Sequence, residues 1–85
     1  AGLINKVVPD ADLEATTKEW AEKLASGATR AIGLSKQLLN RGVTLDLAAF
    51  LDEEASAQAL TSTSDDFKEG VRAFMEKRKP RFIGA

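Results

Sequence analysis

The feature that most constrains this chain is one segment of strand character with nothing to pair with. Gly2-Leu3-Ile4-Asn5-Lys6-Val7-Val8-Pro9 is rich in aliphatic and β-branched residues, and it is stopped by Pro9, which has no N–H to give a ladder. A lone strand leaves its backbone donors and acceptors without partners, and buried backbone groups must have them. No later stretch of the 85 residues has the same character. The segment is therefore an extended arm lying over helices, or a strand whose sheet belongs to other protein.

Beyond Pro9 the chain reads as helical segments with short connections, followed by an extended tail over Arg81-Phe82-Ile83-Gly84-Ala85. Asp10 is the expected N-cap, and Asp12 and Glu14 place negative charge where the first-turn dipole favours it. Leu13, Thr17, Trp20 and Leu24 then recur at three- and four-residue steps, and Gly27 is expected to close this helix in the left-handed conformation. A second helix is predicted from about Ala28 to Arg41, with Ile32, Ser35, Leu38 and Leu39 inward and Gly42 as its stop. Gly33 inside it costs about 1 kcal/mol relative to Ala, a cost that close helix approach would explain.

Thr44 is expected to cap the longest helix, roughly Leu45 to Thr61. There Leu47, Leu51, Ala55 and Gln58 trace one face and Phe50 and Ala57 the next, with Ala48, Ala49 and Ala59 between. Apolar cover over so much of a circumference is not the pattern of a helix wet on one side. The last helix is predicted over about Asp65 to Lys79, with Phe67, Val71, Phe74 and Met75 on one side and Pro80 as its stop. The fold class is all-α: three to four short helices preceded by one short extended, strand-like segment. A domain this small buries only about 60–65% of its unfolded surface, so a partner for these apolar faces is expected.

Composition narrows the chemistry. The chain has no His, Cys or Tyr, which excludes a Ser-His-Asp triad, a Cys-His pair, a thiolate zinc site and a disulfide framework. No run approaches a membrane span, and no signal-peptide core precedes Pro9, so a cytoplasmic setting without a membrane partner is expected. Of the carboxylates, Glu53 and Glu54 point about 100° apart on their helix and do not face one site. Asp65 and Asp66 stand where helix-starting acids are expected, and helix caps and solvated faces account for these acids and for Glu69. No spacing resembles a metal loop, and Ser35, Ser62 and Ser64 have no His to serve as base. The expected catalytic set in this chain is none, and the expected metal set is none.

Charge is the remaining signal. A net charge of −1 hides seven acidic residues against one base between Asp46 and Glu69, followed by Lys77, Arg78, Lys79 and Arg81 within five positions. This points to a local anionic contact rather than a nucleic-acid face, which would need an aromatic platform for bases. Lys77 lies three residues beyond Phe74, and on a helix the two would share a face. A ring beside an ammonium suits a planar heterocycle attached to phosphate. The plainer alternative is that Phe74 is core and Lys77 a helix C-terminal charge.

Several stretches resemble one family in order. Gly2–Pro9 is similar to the strand entering the C-terminal region of the crotonase superfamily, the enoyl-CoA hydratases and isomerases. Ile32-Gly33-Leu34-Ser35-Lys36-Gln37-Leu38-Leu39-Asn40 resembles its next helix, and Glu53-Glu54-Ala55-Ser56-Ala57-Gln58 its Glu-rich helix. The most specific stretch is Ser64-Asp65-Asp66-Phe67-Lys68-Glu69-Gly70-Val71-Arg72-Ala73-Phe74-Met75-Glu76-Lys77-Arg78-Lys79-Pro80-Arg81-Phe82, which resembles the family's closing signature. The resemblance covers nearly the whole chain.

It implies that residues 1–9 belong to a core absent from this sequence, and that 10–85 form a C-terminal helical domain for oligomerisation and pocket closure. The implied partners are that N-terminal crotonase core, copies of the same protein in a homotrimer or dimer of trimers, and acyl-CoA. No separate cofactor is implied; CoA enters as part of the substrate. Oxyanion-hole donors and catalytic acids would reside on the absent core. Phe74 and Lys77 match positions that approach the CoA adenine and phosphates, and Phe82 is expected to pack. A second reading from the residues alone is a free-standing helical module that self-associates without catalysis.

Overall fold

Pro9 marks the point at which extended chain becomes helix. In the computed structural model, which describes residues 2–85, the segment 2–9 runs without any β pairing, and Ala1 of the expected strand lies outside the described residues. The Pro9 backbone is extended at φ −57° and ψ 148°, and its carbonyl accepts a hydrogen bond from the Asp12 N–H at 2.9 Å, opening a 3-10 turn over Asp10–Asp12. Four helices come after it: α1 (Leu13–Ala25), α2 (Thr29–Arg41), α3 (Leu47–Ser62) and α4 (Asp65–Met75). The architecture is all-helical, with an extended arm in front. That arm shares a shallow groove with α1, lined by Leu3, Ile4, Val8, Leu13 and Trp20.

Local chemistry sets most of the helix ends, with three differences from expectation in α1 to α3. Asp10 makes no capping bond, because the chain enters α1 through the 3-10 turn instead. The cap of α3 is Asp46, whose Oδ1 accepts from the Ala49 N–H at 2.8 Å; Thr44 turns its hydroxyl back onto the Arg41 carbonyl at 3.1 Å. Both are capping residues, and the one with extended backbone, Asp46 at ψ 166°, takes the role. Gly27 is not left-handed. Its requirement is space: a Cβ there would stand 2.9 Å from the Ile32 Cδ1.

Helices α2 and α3 form a hairpin. Leu34, Leu38, Ala57 and Leu60 line one groove between them, and Arg41 meets Glu53 at 2.6 Å towards the connecting turn. The close approach anticipated at Gly33 does not occur within this chain, where a Cβ at that position would meet nothing within 4 Å.

The molecule has almost no interior. Ala73 is the one buried apolar residue among those described, and no large side chain is fully buried. Leu47 is 73% exposed and Leu51 and Leu60 51%, so the broad apolar cover of α3 is unpartnered. The radius of gyration is 16.2 Å, against about 12 Å for a compact chain of this length. The accessible surface is 7183 Å², against about 4,900 Å² for a compact protein of this mass. Among the described residues no helix is long and apolar enough to cross a membrane.

With so little core, caps carry unusual weight. The buried Ser64 hydroxyl accepts from the Phe67 N–H at 3.1 Å and donates to the Thr61 carbonyl at 2.7 Å, joining α3 to α4. Ser64→Ala is expected to cost about 1–2 kcal/mol, read as a lower midpoint in chemical denaturation. An unchanged midpoint would show that this cap contributes nothing.

Candidate functional site

Helix α4 and the chain that leaves it build the site. The helix ends at Met75, four residues short of the expected Lys79, and Pro80 is not what stops it. Lys77 takes a left-handed backbone at φ 53°, the one non-glycine residue to do so among those described. The Lys77 N–H donates to the Phe74 carbonyl at 3.2 Å and the Arg78 N–H to the Ala73 carbonyl at 3.0 Å. These two bonds form a Schellman motif, in which the left-handed position normally belongs to glycine. A side chain there costs about 1–2 kcal/mol. Phe74 and Lys77 are thus joined through the turn and not through a shared helix face. Phe74 is 82% exposed, so in this chain it is no core residue, and Lys77 is exposed too.

Beyond the turn, residues 78–85 run back along α4 towards its start, held by two carboxylates. Glu69 accepts both Arg78 terminal nitrogens, at 2.6 and 3.1 Å, and the Arg81 N–H at 3.0 Å. Asp66, three residues earlier and only 3% exposed, accepts the Ile83 and Gly84 N–H groups at 2.7 and 2.8 Å. Its own N–H donates to the Ala85 carbonyl at 2.8 Å, which satisfies one of the orphan donors of the α4 N-terminus. Gly84 has φ 79°, and a Cβ there would stand 2.7 Å from the Thr29 Oγ1. The tail thereby touches the start of α2 as well.

These contacts revise the sequence reading of the acids. Asp66 and Glu69 are not a solvated face; they are the anions that the tail meets. Glu53 is likewise engaged, by Arg41. The tail partners of Glu69 and Asp66 lie 9 to 18 residues from them in sequence, beyond any helical spacing. The nearest signal is the run of cations after a helix with Glu69 and Glu76 near its end. The Arg78 bond, followed by the Arg81 N–H, draws the Glu69 carboxyl from 4.5 down to about 2, and the same pairing raises Arg78. Of the four tail cations, Arg78 is thus neutralised internally by Glu69 and Glu76. Lys77, Lys79 and the Arg81 side chain form no ion pair among the described residues.

Beside the turn lies an open apolar groove of about 390 Å³. Ala31 of α2, Phe67, Gly70, Val71 and Phe74 of α4, and Phe82 of the tail line it. The half-buried Phe82 ring packs over Gly70, 3.6 Å from where a Cβ would stand. The groove thus has an apolar floor and the exposed Phe74 ring in its wall, and Arg30 is the cation that lines it. Among the described residues no three potential ligands gather to hold a metal ion.

Comparison with known proteins places this geometry. A family model described as enoyl-CoA hydratase/isomerase matches residues 1–85, the whole chain. The chain belongs to that family. The chain is 44% identical to the short-chain-enoyl-CoA hydratase of Clostridium acetobutylicum over 92% of its own length and 30% of the relative's. It is 42% identical to the 1,2-epoxyphenylacetyl-CoA isomerase of Escherichia coli, over 98% of the chain and 32% of that protein. The crystal structure of the enoyl-CoA hydratase from Geobacillus kaustophilus superposes with a TM-score of 0.92 at 39% identity, over 99% of this chain and 32% of that one. The chain therefore spans about a third of the length of the relatives it matches. The stretch Ser64–Phe82, which resembles the family's closing signature, is in space one unit: α4, its left-handed turn and the clasped tail.

Two outcomes are expected for this family member. Asp66→Asn keeps the shape but loses the charge and one acceptor, and is expected to cost on the order of 2 kcal/mol, with fast amide exchange appearing at Ile83 and Gly84. Protected amides in that variant would contradict the clasp. Because the Glu69 carboxyl is depressed on folding, its contribution is complete above pH 4.5, falls away as pH drops, and is gone below about 2. Carbon-13 titration should read a midpoint near 2, moving towards 4.5 in Arg78→Gln. A native midpoint of 4.5 would remove Arg78 as its partner.

Proposed function

We propose that this chain is the C-terminal helical part of an enzyme acting on acyl-CoA thioesters. In this reading it contributes trimerisation, closure of the acyl pocket and part of the CoA site. Catalysis requires a core not contained in these residues. One observation carries the reading: the chain exposes about 2,300 Å² more than a compact protein of its mass. That excess exceeds the roughly 800 Å² per partner of a standard interface and is the scale of an obligate one. A module that stood alone as a monomer would be expected to close on itself.

The unpaired residues 2–9 fit a strand or arm that continues onto such a core, and the exposed faces of α1 and α3 fit contacts with the core and with other copies. The apolar groove beside α4 suits an acyl chain or the wall of its pocket. At the groove's edge, Phe74 offers a face for the adenine and Lys77 a cation for phosphate, while Lys79 and Arg81 add positive potential. The CoA class is supported by relatives whose names include a short-chain-enoyl-CoA hydratase and a crotonyl-CoA hydratase.

In the full-length protein, Phe74→Ala is expected to weaken CoA-thioester binding roughly ten-fold, the scale of one lost base–aromatic stack. Lys77→Ala is expected to weaken it further, with the salt dependence of binding reduced. Calorimetry with crotonyl-CoA checks both. Unchanged affinity in the double variant would sink the Phe74–Lys77 site, and turnover by the 85-residue chain alone would overturn the division of labour.

A further inference from the structure

The left-handed turn at Lys77 needs an explanation that its own sequence does not supply. Glycine is absent at 77, so the conformation is imposed by the surroundings, and such strain persists only where neighbours over-determine it. The neighbour is Glu69, roughly two helical turns back on α4. Its two oxygens hold the chain on the far side of the turn at two points: the Arg78 guanidinium, at 2.6 and 3.1 Å, and the Arg81 N–H, at 3.0 Å. Glu76 reinforces the Arg78 end, and the Arg78 N–H closes the Schellman bond onto Ala73. Lys77 stands between fixed points on both sides, and its N–H is bonded to the carbonyl of Phe74.

We propose that Glu69 is a positioning residue for the Phe74–Lys77 pair, holding through Arg78 and the Arg81 amide the turn from which Lys77 projects. This rests on the reading of Phe74 and Lys77 as CoA contacts. Glu69 touches no ligand in this scheme. Its effect is to keep the Lys77 ammonium in one place relative to the ring, so that ligand binding does not have to order the turn. The pair also removes Arg78 from competition: a guanidinium engaged by two carboxylates leaves the phosphate to Lys77.

The test is a double-mutant cycle in the full-length protein, with coenzyme A as the probe and calorimetry as the readout. Glu69→Gln keeps the side-chain length and one acceptor oxygen, which protects the fold, while abolishing the ionic clasp. It is expected to weaken CoA binding roughly three-fold or more when Lys77 is present and to have no effect in a Lys77→Ala background. Amide exchange at Arg78 should accelerate in Glu69→Gln in both backgrounds. An equal loss of affinity with and without Lys77 would overturn the positioning role and leave the CoA contact standing. No loss of affinity in Lys77→Ala alone would overturn the contact itself, and the positioning role with it. Unaltered exchange at Arg78 in Glu69→Gln would show that the clasp does not hold the turn.

Discussion

Two carboxylates on one face of α4 hold together what the hydrophobic effect leaves loose. With Ala73 as the one buried apolar residue among those described, there is no interior to fix the helices relative to one another. Helices of 11 to 16 residues are marginal in water by themselves, since most helical stability in proteins comes from packing an apolar face. What survives within the chain is local: the Ser64 and Asp46 caps, the α2–α3 hairpin, and the clasp of Asp66 and Glu69 on residues 78–85. The clasp is the part with the longest reach, and it gives the end of the chain its shape.

Spacing explains how two side chains hold eight residues. Asp66 and Glu69 are three apart, so they stand one above the other on the same side of α4. The reversal at Lys77 sends the chain back antiparallel to the helix, so that it meets Glu69 first and Asp66 last. Each carboxylate accepts backbone N–H groups that an irregular tail has no other way to satisfy. Phe82 enters between them, over Gly70, its ring 3.6 Å from where a Cβ would stand. An ordered tail thus exists without a core beneath it.

Legibility in the sequence divides along sequence distance. The apolar stripe Leu13–Trp20–Leu24, the all-round cover of α3 and the isolation of residues 2–9 are local patterns, and the structure has all three, the stripe and the cover still exposed. The cap of α3 stands two residues beyond its expected place because Thr44 and Asp46 are both capping types, and only backbone conformation separates them. The end of α4 departs from expectation for a different reason. Pro80 is a visible stop, whereas a left-handed lysine carries no signature. The roles of Asp66 and Glu69 are hidden because acids in a helix's first turns already have a sufficient local explanation. Nothing local tells an acid that favours the dipole from one that also grips a tail. The family resemblance locates the signature stretch without explaining why those residues occur together. The clasp supplies a physical account of it for Asp66, Glu69, Gly70, Arg78 and Phe82.

Lys77 is where local preference and the fold disagree. Every conformational argument at that position favours glycine, which reaches positive φ without a steric penalty. Sequences that specify a structure are mostly consistent across levels, and departures concentrate where something other than stability is required. A lysine in place of glycine adds a cation where the chain reverses. That point adjoins an exposed ring and an apolar groove. Arg78, the adjacent cation, is meanwhile tied to Glu69 and Glu76 and cannot take the same role. One of two neighbouring cations is used to build the turn and the other is left at its apex. Lys77, by contrast, has no carboxylate partner among the described residues. This division of labour between two adjacent basic residues is what the proposed binding role of Lys77, with the clasp as its support, rests on.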